Sequence, residues 1–134
     1  MAIVACLDTR FYFAHAQEEF AWTKKVVDMA RLPGSRIVSS TITIAELLSA
    51  MGAAVGIETV HLRIKSARTA GIGFVPPSEE MAATAGEMIL KDRELPLADA
   101  IIAATALDQT GGRVYTDDPH FRRIPGIRTV WGRP

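Results

Sequence analysis

The sequence predicts an α/β fold with a central parallel sheet, on three observations. Short apolar runs alternate with longer stretches of helical periodicity along the whole chain. The first run, Ile3 to Leu7, is apolar without interruption, as a strand covered on both faces must be. Turn formers fall between the runs, as in Leu32-Pro33-Gly34-Ser35, Pro76-Pro77 and Gly111-Gly112. Strands alternating with helices imply βα units, hence parallel strands with helices on both faces.

Each element follows from its residues. After the Ile3–Leu7 strand, Phe11 to about Met29 reads as one helix, ended by Arg31-Leu32-Pro33-Gly34-Ser35. Ile37-Val38-Ser39 is a short strand. Thr43 to about Ala54 is a helix with Ile44, Leu47, Leu48 and Met51 at i, i+3, i+4 and i+7. Glu58 to Ala70 is a second amphipathic helix. Gly71-Ile72-Gly73 turns the chain into Phe74-Val75, a strand stopped by two prolines. Ser78 caps a helix to about Asp92, with Glu79 and Glu80 in the first turn, where the helix dipole favours them. Pro96 starts a nearly all-apolar helix that ends near Gln109. Val114 to Thr116 and Thr129 to Trp131 are the last two strands.

Composition bounds the function. The 134 residues suffice for a single domain, 1–134, with a real core, and 49% hydrophobic with 22% charged residues is a globular balance. A single cysteine, Cys6, excludes an internal disulfide and suits a reducing cytoplasm. The N-terminus lacks the basic lead of a signal peptide, and no stretch approaches the ~20 apolar residues that span a bilayer. The formal net charge is zero, so no global field attracts nucleic acid. Basic residues are uneven, however. Arg113, Arg122, Arg123, Arg128 and Arg133 crowd the last segment, and Lys24, Lys25, Arg31 and Arg36 another, which allows a local basic rim.

The chemistry lies in the acids. Asp8 closes the first strand, Glu46 sits in the first turn of a helix, and Asp99 is the only charge between Leu97 and Leu107. Asp117 and Asp118 follow a late strand. In open parallel sheets, strand ends and the following helix starts share one edge, where ligands bind. These acids can therefore converge. A carboxylate beside buried elements is costly without a partner, and a bound cation is the usual partner. Each acid also has a plainer role. Asp8 suits a helix N-cap, Thr43 to Glu46 fits a capping box, and Asp117-Asp118-Pro119 fits a turn. Asp99, in a helix apolar nearly all round, has the weakest plain explanation. An all-carboxylate set favours hard cations, Mg²⁺ or Mn²⁺, over zinc. His15, His61 and His120 are isolated in sequence and form no metal motif.

These residues resemble a known family. Asp8-Thr9-Arg10-Phe11-Tyr12 resembles the opening Asp-Thr/Ser motif of PIN-domain ribonucleases, and Ser40-Thr41-Ile42-Thr43-Ile44-Ala45-Glu46-Leu47 is similar to their second motif. Leu97-Ala98-Asp99-Ala100-Ile101-Ile102-Ala103-Ala104 resembles the third, and Thr116-Asp117-Asp118-Pro119-His120-Phe121 the fourth. Order, spacing and length agree over essentially the whole chain, and the chain looks most like the VapC-type toxins of toxin–antitoxin pairs. The resemblance implies a three-layer α/β/α sandwich, Mg²⁺- or Mn²⁺-dependent cleavage of RNA, an antitoxin partner that covers the crevice, and a homodimer. It implies Asp8, Glu46, Asp99 and Asp118 as catalytic and metal-binding residues. Asp118 stands at the motif's acidic position, and Asp117 is an adjacent candidate. Thr9 and Thr116 would orient these acids or touch phosphate, and Asp99 or Asp8 would act as general base. Arg10 departs from the small polar residue many members have there. Two alternatives stay open: a module of this fold that binds RNA or protein with little turnover, and a housekeeping RNA-processing nuclease.

Overall fold

The structure is a computed structural model and describes residues 2–134. Five strands form one fully parallel sheet. They are β1 (Val4–Leu7), β2 (Arg36–Ser40), β3 (Gly73–Val75), β4 (Arg113–Tyr115) and β5 (Arg128–Val130), in the order β3-β2-β1-β4-β5. Six helices connect them: α1 (Thr9–His15), α2 (Trp22–Asp28), α3 (Ile42–Val55), α4 (Ile57–Thr69), α5 (Glu79–Lys91) and α6 (Leu97–Thr110). The chain winds outward from β1 through β2 to β3, then returns through α5 and α6 to place β4 on the other side of β1. The switch in winding direction therefore falls between β1 and β4, and the crevice forms beyond their carboxyl ends.

Strand alternation sorts the core into two layers. Cys6, Val38 and Val114 face α5 and α6, in one cluster with Met81, Ala85, Ile102 and Ala103. Ala5, Leu7, Ile37 and Tyr115 face the opposite side, in a second cluster with Phe11 of α1, Val26 of α2 and Ala67 of α4. This is the three-layer α/β/α sandwich. A satellite cluster of Leu47, Val60 and Ile64, with Leu48 and Met51 against it, joins α3 to α4. Burial of Asp99, Ala100 and Ile102 through Ala106 makes α6 the central helix, as its apolar circumference requires.

Two expectations change. The helix read over Phe11 to Met29 is two helices. Gln17 is extended (φ −113°, ψ 130°), and a 3-10 turn at Glu18–Phe20 leads into α2. The Ala, Gln and Glu residues there favour helix, but the break lets Trp22 and Phe20 stack edgewise on Trp131 (5.1 and 6.4 Å between ring centroids), so tertiary contact overrides local preference. The capping box at Thr43 is also absent. α3 starts one residue earlier, with Thr41 as N-cap, and Thr43 is buried inside the first turn. Glu46 is thereby free to serve another partner.

Candidate active site

Four acids meet at the carboxyl edge of β1 and β4. Asp8, 2% exposed, follows β1 and caps α1. Its Oδ1 accepts from the Thr9 N–H at 2.8 Å, and its Oδ2 accepts from the Thr116 hydroxyl at 2.7 Å. The capping role and the site role thus coexist, one per oxygen. Glu46 Oε1 accepts from the Thr9 hydroxyl at 2.6 Å, and Thr9 Oγ1 lies 3.1 Å from Thr43 Oγ1. Thr9 and Thr116 are therefore the tethers of the two carboxylates, and Thr116 also accepts from the Asp118 N–H at 3.0 Å. Asp8, Glu46, Asp99 and Asp118 line one cavity of about 280 Å³, together with Arg10 and Phe13.

Asp117 takes a different direction. It is exposed and pairs with the Arg10 guanidinium: Nε approaches Oδ1, and Nη2 lies 3.2 Å from Oδ2. It does not line the cavity. Asp118 turns inward and caps the 3-10 helix Pro119–Arg123. Its Oδ1 accepts from the His120 N–H at 2.9 Å and lies 2.7 Å from His120 Nδ1, which donates to the ionised carboxylate.

His120 is the site residue that the sequence did not reveal. Its Nδ1 is also 3.6 Å from Asp99 Oδ2, so one donor atom from each of Asp99, Asp118 and His120 lies within 4.8 Å of the others. The signal was an Asp-x-His spacing after a late strand. It is too common in turns to stand out without the fold.

The electrostatics are those of a site short of positive charge. Burial, reinforced by Asp118 and Asp8, pushes the Asp99 carboxyl up to about 7. Burial also pushes Asp8 up to about 6, against the hydrogen bonds from Thr116 and Thr9 and with help from Glu46 and Asp118. Asp118 moves the other way: burial would raise it, but hydrogen bonds from the His120 backbone and ring outweigh burial and hold it below the usual range. Asp99 is 8% exposed, and its Oδ2 is fully buried with no hydrogen-bond partner among the described residues. An unpartnered buried carboxylate oxygen beside further carboxylates is what a divalent cation would relieve, and a hard, oxygen-rich donor set suits such an ion, with the His120 ring orienting Asp118 through its Nδ1–H.

Among the described residues, Arg10 is the only cationic side chain that lines this cavity. Arg123 bridges Asp92 at 3.0 Å and Glu94 at 3.6 Å, and Arg36 bonds Gln109, so these two arginines serve the scaffold.

Residues 5–127 match the family described as PIN domain, and the chain belongs to that family. Its fold is that of several solved toxin structures. VapBC2 from Rickettsia felis, bound to a DNA fragment from its promoter, superposes with a TM-score of 0.76 at 16% identity, over 97% of this chain and 99% of that one. VapC20 from Mycobacterium tuberculosis, a Sarcin-Ricin loop cleaving toxin, gives 0.73 at 16% identity over 97% and 99%. A toxin–antitoxin complex from Klebsiella pneumoniae gives 0.67 at 22% identity over 93% and 96%. No curated protein matches the chain.

Proposed function

We propose that this chain is a metal-dependent endoribonuclease, the toxin of a toxin–antitoxin pair. The observation that carries the reading is Asp99 Oδ2: buried, without a hydrogen-bond partner among the described residues, and 3.6 Å from His120 Nδ1, beside the cavity that Asp8, Glu46, Asp99 and Asp118 line. The fold shared with toxin structures supports the biological role, and the Mycobacterium tuberculosis neighbour supports RNA as the substrate class.

The residues divide the work. Asp8, Asp99 and Asp118 would hold a divalent cation, Mg²⁺ or Mn²⁺, with Glu46 and His120 at its margin. Bound there, such an ion makes water a stronger nucleophile at neutral pH and offsets charge on the leaving oxygen. Thr9 and Thr116 fix the carboxylates in the orientation they have before substrate arrives, so no reorganisation is needed. Asp99 or Asp8 would accept the proton of the attacking water. A crevice of this size admits a splayed strand rather than a duplex, so the substrate is single-stranded or loop RNA. An antitoxin that masks the crevice and a second copy of the chain are the expected partners.

The test is digestion of total RNA by the purified protein with Mn²⁺ or with EDTA, followed by mapping of the new 5′ ends. Cleavage at discrete sites, lost in EDTA, supports the reading. Tight RNA binding without metal-dependent product overturns it in favour of a binding module.

A further inference from the structure

Arg10 occupies a place its own helix does not favour. It is the second residue of α1, where the helix dipole opposes a cation. It is also the only cationic side chain lining the acidic cavity among the described residues. Its side chain is 51% exposed, and it is held by Asp117 from outside the cavity through Nε and Nη2. That side-on grip uses two of the five guanidinium N–H groups and leaves the Nη1 edge unengaged. Asp118 and Asp8 also attract this charge. Asp117 keeps it at the rim.

The rim is where a fixed cation is needed. A phosphodiester strand approaching four carboxylates is repelled, and a planar guanidinium offers the paired N–H groups that phosphate oxygens accept. We propose that Arg10 binds a backbone phosphate of the RNA at the mouth of the cavity, and that Asp117 is the positioning residue that holds it there rather than a cation ligand. This inference rests on the ribonuclease reading and refines it: the adjacent acids of Thr116-Asp117-Asp118 divide into one that faces the cavity and one that orients a substrate contact.

The experiment measures binding of a fluorescein-labelled, mixed-sequence single-stranded RNA 20-mer at several salt concentrations, for wild type, Arg10→Ala, Arg10→Lys, Asp117→Asn and the Arg10→Ala/Asp117→Asn double variant. Mn²⁺ titration calorimetry and steady-state cleavage accompany it. Exposed ion pairs contribute little to stability, so all variants fold. Arg10→Ala is expected to weaken RNA binding roughly tenfold and to raise KM in step, with kcat within about threefold of wild type. The slope of log Kd against log salt falls by about 0.7, the signature of one lost phosphate contact on a single strand. Lysine keeps the charge without the fork and falls between the two. Asp117→Asn shifts binding in the same direction, and the double variant is no worse than Arg10→Ala alone. Mn²⁺ affinity is unchanged in Arg10→Ala. RNA binding and salt slope at wild-type values in Arg10→Ala overturn the proposal, as does weaker Mn²⁺ binding when Asp117→Asn is added to Arg10→Ala, which would make Asp117 a ligand. If wild type binds RNA but cuts none, the ribonuclease reading fails while the Arg10 contact is still decided by the binding data.

Discussion

Asp99 carries the sharpest electrostatic conflict among the site residues, and its consequences are measurable without substrate. Its carboxyl is raised to about 7 and that of Asp8 to about 6, both chiefly by burial. A raised carboxyl means that the folded protein holds protons the unfolded chain has released. The associated stability is complete below about pH 4 and is lost as pH rises through about 6 to 7. Burial acts on the His15 imidazole in the opposite sense, so its contribution grows with pH over part of the same window. The comparison that isolates Asp99 is therefore wild type against Asp99→Asn. Metal-free, the two should melt together near pH 4. At pH 8 the variant should melt higher, by on the order of 5 °C, because it lacks the buried charge. Calorimetric scans across that range check this, and a variant that melts lower at pH 8 would show the carboxylate to be a net stabiliser. At this scale the sequence was informative about the acids, since a carboxylate in an apolar helix or at a strand end is visible in one dimension. Thr9 and Thr116 were also legible as companions. His120 and the Arg10–Asp117 pair were not, because their partners are set by the 3-10 turn Pro119–Arg123 and by the meeting of α1 with the loop after β4.

The elements depend on a few tight approaches that hold the far edge of the sheet. Gly112 precedes β4 at φ +93°, and a Cβ there would sit 2.0 Å from the Gly126 carbonyl oxygen. Gly112 also accepts from the Arg128 N–H at 2.8 Å, so this glycine ties β5 to the end of α6. Gly112→Ala is predicted to cost about 3 kcal/mol or more, since both backbone conformation and backbone clash oppose it. Its neighbour Gly111 is the control. It has φ +66°, and a Cβ there would meet nothing within 4 Å, so Gly111→Ala should cost only about 1 kcal/mol. Urea unfolding of the two variants checks the contrast, and equal costs would contradict the close approach. Gly111-Gly112 was readable as a helix end. The reason for the second glycine was not, because Gly126 approaches it from a distant turn. Similarly, periodicity located α3 to α6 to within a few residues but joined α1 to α2, since the aromatic contact with Trp131 that separates them is invisible locally.

Across the whole molecule, strand alternation was enough to predict a parallel sheet with helices on both faces, but not the order β3-β2-β1-β4-β5. That order is what places the end of β1 beside the end of β4, and so Asp8 beside Thr116 and Asp118. The acids could be named from the sequence as a set able to converge; their division of labour required the topology. The molecule has formal net charge zero, so affinity for the proposed RNA substrate would depend on the local balance at the crevice rather than on a global field. No helix is long and apolar enough to cross a membrane among the described residues. A cation bound only by the folded state must stabilise it, so Mn²⁺ in excess should raise the melting temperature and reduce its fall with pH, and EDTA should reverse both. The most direct test of the convergent site is isothermal titration of Mn²⁺ into metal-free wild type and Asp99→Asn at pH 7.5. Saturable binding by wild type, weakened at least tenfold in the variant, is the expected result. Equal affinity in the two proteins, or no binding to either, would contradict a cation site built around Asp99.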